Sequence, residues 1–487
     1  MNRARQLCCG LALGAALLSG CATRVPQVLS PQIVPAAFVG KDSGSASVWP
    51  RSDWWQQFGS GELSGFILAA QRGNRDLAMA AAAVVQANAQ TVIQRAALFP
   101  QFDLQAQGER SKLSAASTGI SNFPAGNSFG LTLGASYEAD VWGLARSNLR
   151  AANESLKAAR FSRQAVALTV TANVADAYFN VLALRKRIAI ANEDILAIND
   201  ILRTIQLRVT TGTSSHLDLA QERAQVESVE AILPQLQEQE LEARVVLAVL
   251  LGQPPETLEV KAPSLESLHP PLVTPGLPSD LLLRRPDVAQ AEANLASAHA
   301  SLDAARAAFL PQFALNGSDG FASAAIGTLL RGPNVAWEYG GSLLQTVFDG
   351  GKLVGQKKLA EGTQQALVAS YQRAVLNAYA DVETALGQVK HFELAEQHLG
   401  HEVDAAQEAF QISQLQYRQG TTDLLTVLQS QQTLFSAEDQ LAQITLARMQ
   451  SVVHLYEALG GGWIEEATER TQFTSGLTAG ERHENGN

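Results

Sequence analysis

Apolar positions step by three and four without a break from Val174 through Ala177, Val181, Leu184, Ile188, Ala191, Ile195, Ile198, Leu202 and Ile205 to Val209. That 3.5-residue spacing belongs to a coiled-coil seam rather than to a lone surface helix, and it predicts left-handed supercoiling against partner helices. The seam returns at an offset of 208 as Val382, Ala385, Val389, Phe392, Glu396, Leu399, Val403, Ala406, Phe410, Ser413 and Tyr417, with Glu396 and Ser413 as polar exceptions. No proline falls between Leu144 and Thr211. At about 1.5 Å per residue the helical pattern there makes a rod of roughly 100 Å, longer than a globular core or a bilayer requires. A chain of this kind has to bridge something.

Other landmarks are copied too. Ala96-Ala97-Leu98-Phe99-Pro100-Gln101-Phe102 recurs 211 positions later as Ala307-Ala308-Phe309-Leu310-Pro311-Gln312-Phe313. Gly212-Thr213 recurs as Gly420-Thr421, and Leu251-Gly252 as Leu459-Gly460, both at 208. A small insertion or deletion near the strands accounts for the change of offset. The 487 residues therefore form two interleaved halves of one architecture rather than two or three unrelated domains. The expected partition is a signal at 1–20, an N-terminal extension at 21–60, a first repeat at 61–252, a Pro-rich link at 253–285, a second repeat at 286–462 and a flexible tail at 463–487.

The N-terminus carries Arg3 and Arg5 before an apolar run from Leu7 to Leu18, too short to span a membrane and remain there. It ends in Leu18-Ser19-Gly20-Cys21, which resembles a bacterial lipobox in which the cysteine is acylated after cleavage. A plain signal-peptidase site with a free thiol is the alternative. Cys8 and Cys9 leave with the signal, so no internal disulfide can form. Ala22 follows, not the aspartate that retains such lipoproteins at the inner membrane, which implies sorting to the outer membrane. Net charge is −11, and cleavage removes two arginines, so nucleic acid is an unsuitable partner. No later segment has the length and composition of a transmembrane helix, so any membrane crossing must be made by strands.

Phe129 to Tyr137 alternates large apolar residues with small or polar ones, as a strand with one oily and one wet face does. Phe102 to Gln107 alternates as well, across a Ser/Gly/Asn-rich loop, and the second copy runs out through Phe313, Leu315 and Gly317 and back through Trp337, Tyr339 and Leu343 to Phe348. Phe129, Tyr137, Trp142, Trp337 and Tyr339 are candidates for an aromatic girdle. A soluble sheet packed on helices is the competing arrangement. Four strands cannot close a membrane barrel, which needs about eight, so strands must be pooled between subunits, and three protomers would give twelve.

The segment Gly276-Leu277-Pro278-Ser279-Asp280-Leu281-Leu282-Leu283-Arg284-Arg285-Pro286-Asp287-Val288, with Ala291-Glu292-Ala293 and Arg306 to Pro311, resembles the signature of the NodT/OprM branch of TolC-type outer-membrane efflux lipoproteins. Trp54-Trp55-Gln56-Gln57-Phe58, the lipobox and the Val347 to Gly351 turn extend the likeness over nearly the whole mature chain. The resemblance implies a mainly α protein with β structure: a homotrimer forming a 12-stranded barrel continued by a long helical periplasmic tunnel, with an equatorial belt. It implies, as partners, outer-membrane lipid, a periplasmic membrane-fusion adaptor and an inner-membrane RND pump, with ABC or MFS pumps as options. The tunnel would be gated at the turns around Gly212 and Gly420, where the candidates are Asp218, Tyr417, Thr422, Asp423, Leu425, Thr426 and Gln429. In the family a carboxylate at the Asp218 position takes part in closure and a tyrosine at the Tyr417 position in tip hydrogen bonding. Thr426 and Gln429 stand where relatives carry aspartates, and Thr422 where others carry arginine. Asp218 could instead serve only to favour a helix N-terminus.

No phosphate loop, His-Glu-x-x-His or paired CxxC is present, so neither an enzyme nor a cofactor is expected. His391, His398 and His401 concentrate ligand types with Glu393, Glu396 and Glu402, but the histidines flank the seam and read as solvated neighbours of a helix interface rather than a metal site. A conduit for secreted polypeptides, or a lipid-anchored periplasmic adaptor, are the alternative functions. The cargo is not written in the sequence.

Overall fold

The computed structural model describes Phe38 and residues 49–112, 114, 124–271 and 281–463. Cys21, the rest of the signal and lipobox, the Gly276 to Asp280 part of the signature and the tail from residue 464 lie outside the described residues. The first repeat consists of α1 (Gly61–Gly73), α2 (Arg75–Ala96), β1 (Gln101–Ser111), β2 (Gly126–Ala139), α3 (Leu144–Thr210) and α4 (His216–Leu251). The second consists of α5 (Pro286–Ala307), β3 (Gln312–Ser323), β4 (Val335–Leu344), α6 (Lys352–Gln419) and α7 (Leu424–Ala458).

The duplication is visible in the lengths. α2 and α5 both have 22 residues, α3 and α6 have 67 and 68, and α4 and α7 have 36 and 35. Left-handed glycines sit at the copied junctions: Gly143 and Gly351 begin the long helices, Gly212 and Gly420 end them, and Gly252 and Gly460 follow the return helices. A β-carbon is disfavoured in that conformation, so each junction demands glycine. At Gly252 the demand is doubled, because a Cβ there would lie 2.1 Å from the carbonyl oxygen of Gly73.

The seam of α3 is buried or half-buried at every position, with Val174, Val181, Ala191, Ile198 and Ile205 fully enclosed. Enclosing each Val, Leu or Ile contributes about 1.5–3 kcal/mol, which is what holds a rod this long against its neighbours. The polar exceptions in α6 are satisfied. Glu396 accepts from Arg448 and from the Thr445 hydroxyl, and Ser413 shares a 2.7 Å hydrogen bond with Ser430. The thickest core lies where α1, α3, α4 and α7 meet the 3-10 turn Trp54–Phe58. There Trp54 stacks on Tyr456 at 4.8 Å, and the Tyr456 hydroxyl donates to Gln57. The link after α4 is tied to the same region by Glu62, which accepts from the backbone N–H groups of Lys261 and Ala262, and by Arg185, which donates to the carbonyls of Val260 and Ala262.

All four strands form one antiparallel sheet in the order β1-β2-β3-β4, so the two repeats meet at the β2–β3 ladder. Directly paired residues share a face. Register rows such as Leu104, Leu133, Asp319 and Trp337 therefore sort the sheet into two sides. One side carries Phe102, Leu104, Phe129, Leu131, Leu133, Tyr137, Phe313, Leu315, Phe321, Val335, Trp337, Tyr339 and Leu343, with Asp319 as a charge within it and Arg110 at its loop end. The other carries Asp103, Gln105, Gln107, Glu109, Ser128, Thr132, Ser136, Glu138, Asn316, Ser318, Glu338 and Ser342, interleaved with glycine and alanine and ending at Leu344 on β4. At Gly320 the strands approach so closely that a Cβ would meet the Leu131 carbonyl oxygen at 2.1 Å.

One strand boundary differs from the sequence expectation. β4 ends at Leu344, and Val347 and Phe348 are almost fully exposed beyond it. The chain must leave the ladder there to reach the left-handed Gly350-Gly351 turn, which Asp349 fastens by accepting from the N–H groups of Gly351 and Leu353.

Candidate functional site

The far ends of the long helices carry most of the candidates. α3 is capped by Thr211 with the left-handed Gly212 next, α6 by the left-handed Gly420, and each has a basic residue in the last turn, Arg208 and Arg418. Arg208 reaches across and donates to the carbonyl oxygens of Tyr417 and Arg418, both at 3.1 Å, adding a second donor to the Tyr417 carbonyl that already accepts from Gly420 N. Its guanidinium also sits 4.6 Å over the Tyr417 ring. One side chain thus joins the two tips. Tyr417 is buried, and its hydroxyl has no hydrogen-bond partner within the protomer, so the tip bond expected of it is not made inside one chain.

Asp218 begins the return helix. Ser215 is the N-cap of α4, its Oγ accepting from Asp218 N, while Asp218 Oδ2 accepts from Ser215 N at 3.0 Å and from Ser214 Oγ at 2.8 Å. This is a capping box with an aspartate in the third position. The Ser215 N–H and the Ser214 hydroxyl hold the carboxyl below its ordinary value. Asp423 does the equivalent work at α7 as the N-cap itself, accepting from Thr426 N and Thr426 Oγ1. The Thr426 hydroxyl and N–H lower its carboxyl as well. Asp423 and Thr426 are therefore a bonded pair rather than two independent groups. Leu425, Thr426 and Gln429 face outward, with Leu425 53% exposed, while Leu424 and Val427 point into the hairpin. Thr422 is half-buried in the turn. Both turns so bring together polar and apolar groups on one exposed tip surface.

The girdle candidates fall at different heights of the sheet. Phe129 pairs with Gly108 and Ser323 near the loop end, and Tyr137 pairs with Leu315 near the helical end. Eight residues of strand separate them, about 27 Å at ~3.4 Å per residue, close to the height of a membrane barrel's apolar band. Trp337 and Tyr339 lie together on β4 with ring centres 5.7 Å apart, Tyr339 covering Gly317. Trp142 lies below β2, where its indole N–H donates to the Pro311 carbonyl at 2.8 Å and fastens the first repeat to the second.

Side chains that sequence reading passed over occupy the seam of α4. Leu219, Glu222, Val226, Val229, Leu233, Leu236, Glu240 and Ala243 continue the alternating steps, so two acids stand at interior positions. The signal was present in the spacing. Glu240 is paired with Arg185 and Arg244. Glu222 is fully buried, and both its carboxylate oxygens lack a partner. His391, His398 and His401 are all exposed, and among the described residues no group of three or more His, Cys, Asp or Glu could hold a metal ion.

The family model described as outer membrane efflux protein matches residues 67–253 and 277–461. The pyoverdine export outer membrane protein OpmQ of Pseudomonas putida is 37% identical over 479 residues, covering 96% of this chain and 100% of that protein. The cation efflux system protein CusC of Escherichia coli is 29% identical, covering 92% of this chain and 97% of that protein. Among solved structures, the outer-membrane channel OprN matches with a TM-score of 0.83 and 28% identity over 91% of this chain and 99% of its own. The Neisseria gonorrhoeae MtrE outer membrane channel, in its open state, matches with a TM-score of 0.82 and 29% identity over 91% of this chain and 98% of its own.

Proposed function

The chain belongs to the outer membrane efflux protein family, and from that membership we propose that three copies close one barrel and one tunnel through which an envelope-spanning pump discharges its cargo. It is an outer-membrane efflux channel and not an enzyme. The observation that carries the trimer is the sheet. It has a continuous apolar face and a polar face, yet only four strands, with β1 and β4 exposed along their whole lengths. Within a bilayer such edges are prohibitive, so they must be paired by neighbouring copies, and twelve strands make a closed barrel with a polar lumen.

The remaining assignments follow from this arrangement. The oily face meets lipid, with Phe129 and Tyr137 at its margins, Trp142 below it, and Trp337 and Tyr339 paired into the rows between them. Residues 21–60 and 253–285 belong to the belt around the tunnel, and 61–252 and 286–462 are its two repeats. Cys21 carries the lipid anchor. The tips bearing Asp218, Tyr417, Thr422, Asp423, Leu425, Thr426 and Gln429 form the constriction and meet a periplasmic adaptor that couples the channel to an inner-membrane pump, of RND type or else ABC or MFS. The cargo class is a siderophore, supported by the pyoverdine-export relatives of Pseudomonas putida and Pseudomonas aeruginosa at 37% and 36% identity.

Mass measurement in mild detergent, followed by planar-bilayer recording, tests the reading. About three protomers and discrete conductance steps are expected. A monodisperse monomer would refute the shared barrel. For the cargo, cells lacking the protein should retain siderophore in the periplasm, and unchanged export would refute that assignment.

A further inference from the structure

Acids occupy interior seam positions at three places in the described tunnel helices, and two of them face arginine. Glu396 meets Arg448, and Glu240 meets Arg185 and Arg244. Glu222, the third, is 0% exposed and faces no cation. The charge acting on it is Asp194 of α3, itself an acid. From α7 it is Gln431 that enters this patch, 1% exposed, donating from Nε2 to Asp194 Oδ1 at 2.8 Å. Further along α7, Asp439 is held by Arg187, while the Glu438 carboxyl is raised by burial and by the charges of Glu193 and Asp194, with Lys186 opposing, and so adds to the acidic character of this neighbourhood rather than supplying a cation. On α4 itself, Asp218 is engaged in its capping box, and Arg223 and Glu227 point outward.

The unsatisfied atoms of the patch are Glu222 Oε1, Glu222 Oε2 and Gln431 Oε1, all of them acceptors. What the patch lacks is a hydrogen. A buried carboxylate without a cation beside another acid would be strongly unfavourable, whereas a neutral carboxylic acid brings the missing donor. We propose that Glu222 is a proton-operated latch of the tunnel tip: with its proton it lies neutral between α3, α4 and α7 and holds them as seen here, and without it the first half of α4 is driven off its seam toward solvent. The inference rests on the reading of these helices as tunnel walls.

Burial, and then repulsion from Asp194, push the Glu222 carboxyl up to about 7 from its ordinary 4.5. The latched state therefore holds a proton that the released state gives up between those two values. Stability of the latched packing falls as pH rises through that window and is level above it. One proton per protomer makes the ratio of latched to released forms change up to tenfold per pH unit. Only the upper end of that window reaches neutrality, so the release is nearly complete there and reverses on acidification.

Two measurements on the full-length protein in detergent or bilayers test this from about pH 5 to about pH 8. Hydrogen exchange, corrected for its intrinsic pH dependence, should show protection of the first half of α4 falling as pH rises in the wild type and staying high in Glu222→Gln. Asp194→Asn, which keeps an acceptor for Gln431 but removes the repulsion, should move the transition toward acid. Conductance should rise over the same window in the wild type and stay low in Glu222→Gln. A Glu222→Gln protein whose protection follows the wild-type pH profile overturns the latch. So does a response that tracks added Mg2+ or chelator instead of pH, which would assign a cation to the same oxygens. A protein that conducts nothing while its α4 protection still follows Glu222 supports the latch and counts against the channel reading.

Discussion

Asp218 has two separable tasks, one shown by its hydrogen bonds and one proposed for the assembled tip, and a pair of substitutions tells them apart. Asp218→Ala removes the acceptor for Ser215 N and Ser214 Oγ as well as the charge. Loss of a cap of this kind costs about 1 kcal/mol, which is roughly a fivefold rise in the local opening constant of the first turn of α4. Asp218→Asn keeps a carbonyl oxygen for Ser215 and removes only the charge. Hydrogen exchange at the first amides of α4 should therefore quicken about fivefold in the alanine variant and stay near wild type in the asparagine variant. Because the carboxyl is held below its ordinary value, its contribution is complete above the unfolded value near ~3.9 and is lost as pH falls through the lowered one. Neutral buffer thus measures the whole effect. If three copies also form a ring near the trimer axis, planar-bilayer recording should show cation preference in the wild type and its reduction in both variants. Unchanged exchange in Asp218→Ala would refute the capping account. Wild-type ion preference in Asp218→Asn would refute the charged ring and move attention to the exposed Leu425 as an apolar constriction.

Other consequences can be checked directly. Fatty-acid labelling should mark the wild type and not Cys21→Ser, while assembly of the proposed barrel survives, because an apolar belt would hold such a barrel without the lipid; equal labelling would remove the anchor. Tyr417→Phe, which deletes a buried hydroxyl that pairs with nothing within the protomer, should be neutral or stabilising by up to about 1 kcal/mol in thermal unfolding. A rise in conductance for that variant would instead identify a partner on an adjacent copy. Gly320→Ala should abolish assembly in the outer membrane, since its Cβ cannot coexist with the Leu131 carbonyl in the β2–β3 ladder, and normal trimer yield would show that the ladder tolerates a shift.

Features set by local spacing were readable from the chain. The 3.5-residue period fixed both long helices and their seams, since burial depends only on which side a residue faces. Alternation gave the strands, and pairing in register then put Phe129, Leu131 and Leu133 on the same side as Phe102, Leu104 and Tyr339. Contacts between distant residues were not readable. Nothing in the neighbourhood of Glu62 announces that Lys261 and Ala262 will donate to it, and nothing near Arg208 announces the carbonyls of Tyr417 and Arg418. The acid at Glu222 stood in a legible seam, but that it alone lacks an arginine required all three helices in place. Phe348 read as strand because its residue type suits one, while the glycine turn after it dictates otherwise.

The exposed margins of the four-stranded sheet also bear on how such a protein is made. A lone protomer presents β1 and β4 with their backbone groups unmatched, the condition under which β proteins pair with the wrong neighbour. On the proposed reading closure needs three bodies, so in dilute solution its rate would fall steeply with concentration while promiscuous pairing needs only two. Confinement to a surface changes that contest, because molecules restricted to a plane meet far more often and share one orientation. The risk falls in the interval between export and closure, and a cell making this chain is expected to shorten it, by chaperoning the free edges or by delivering protomers to one patch of membrane.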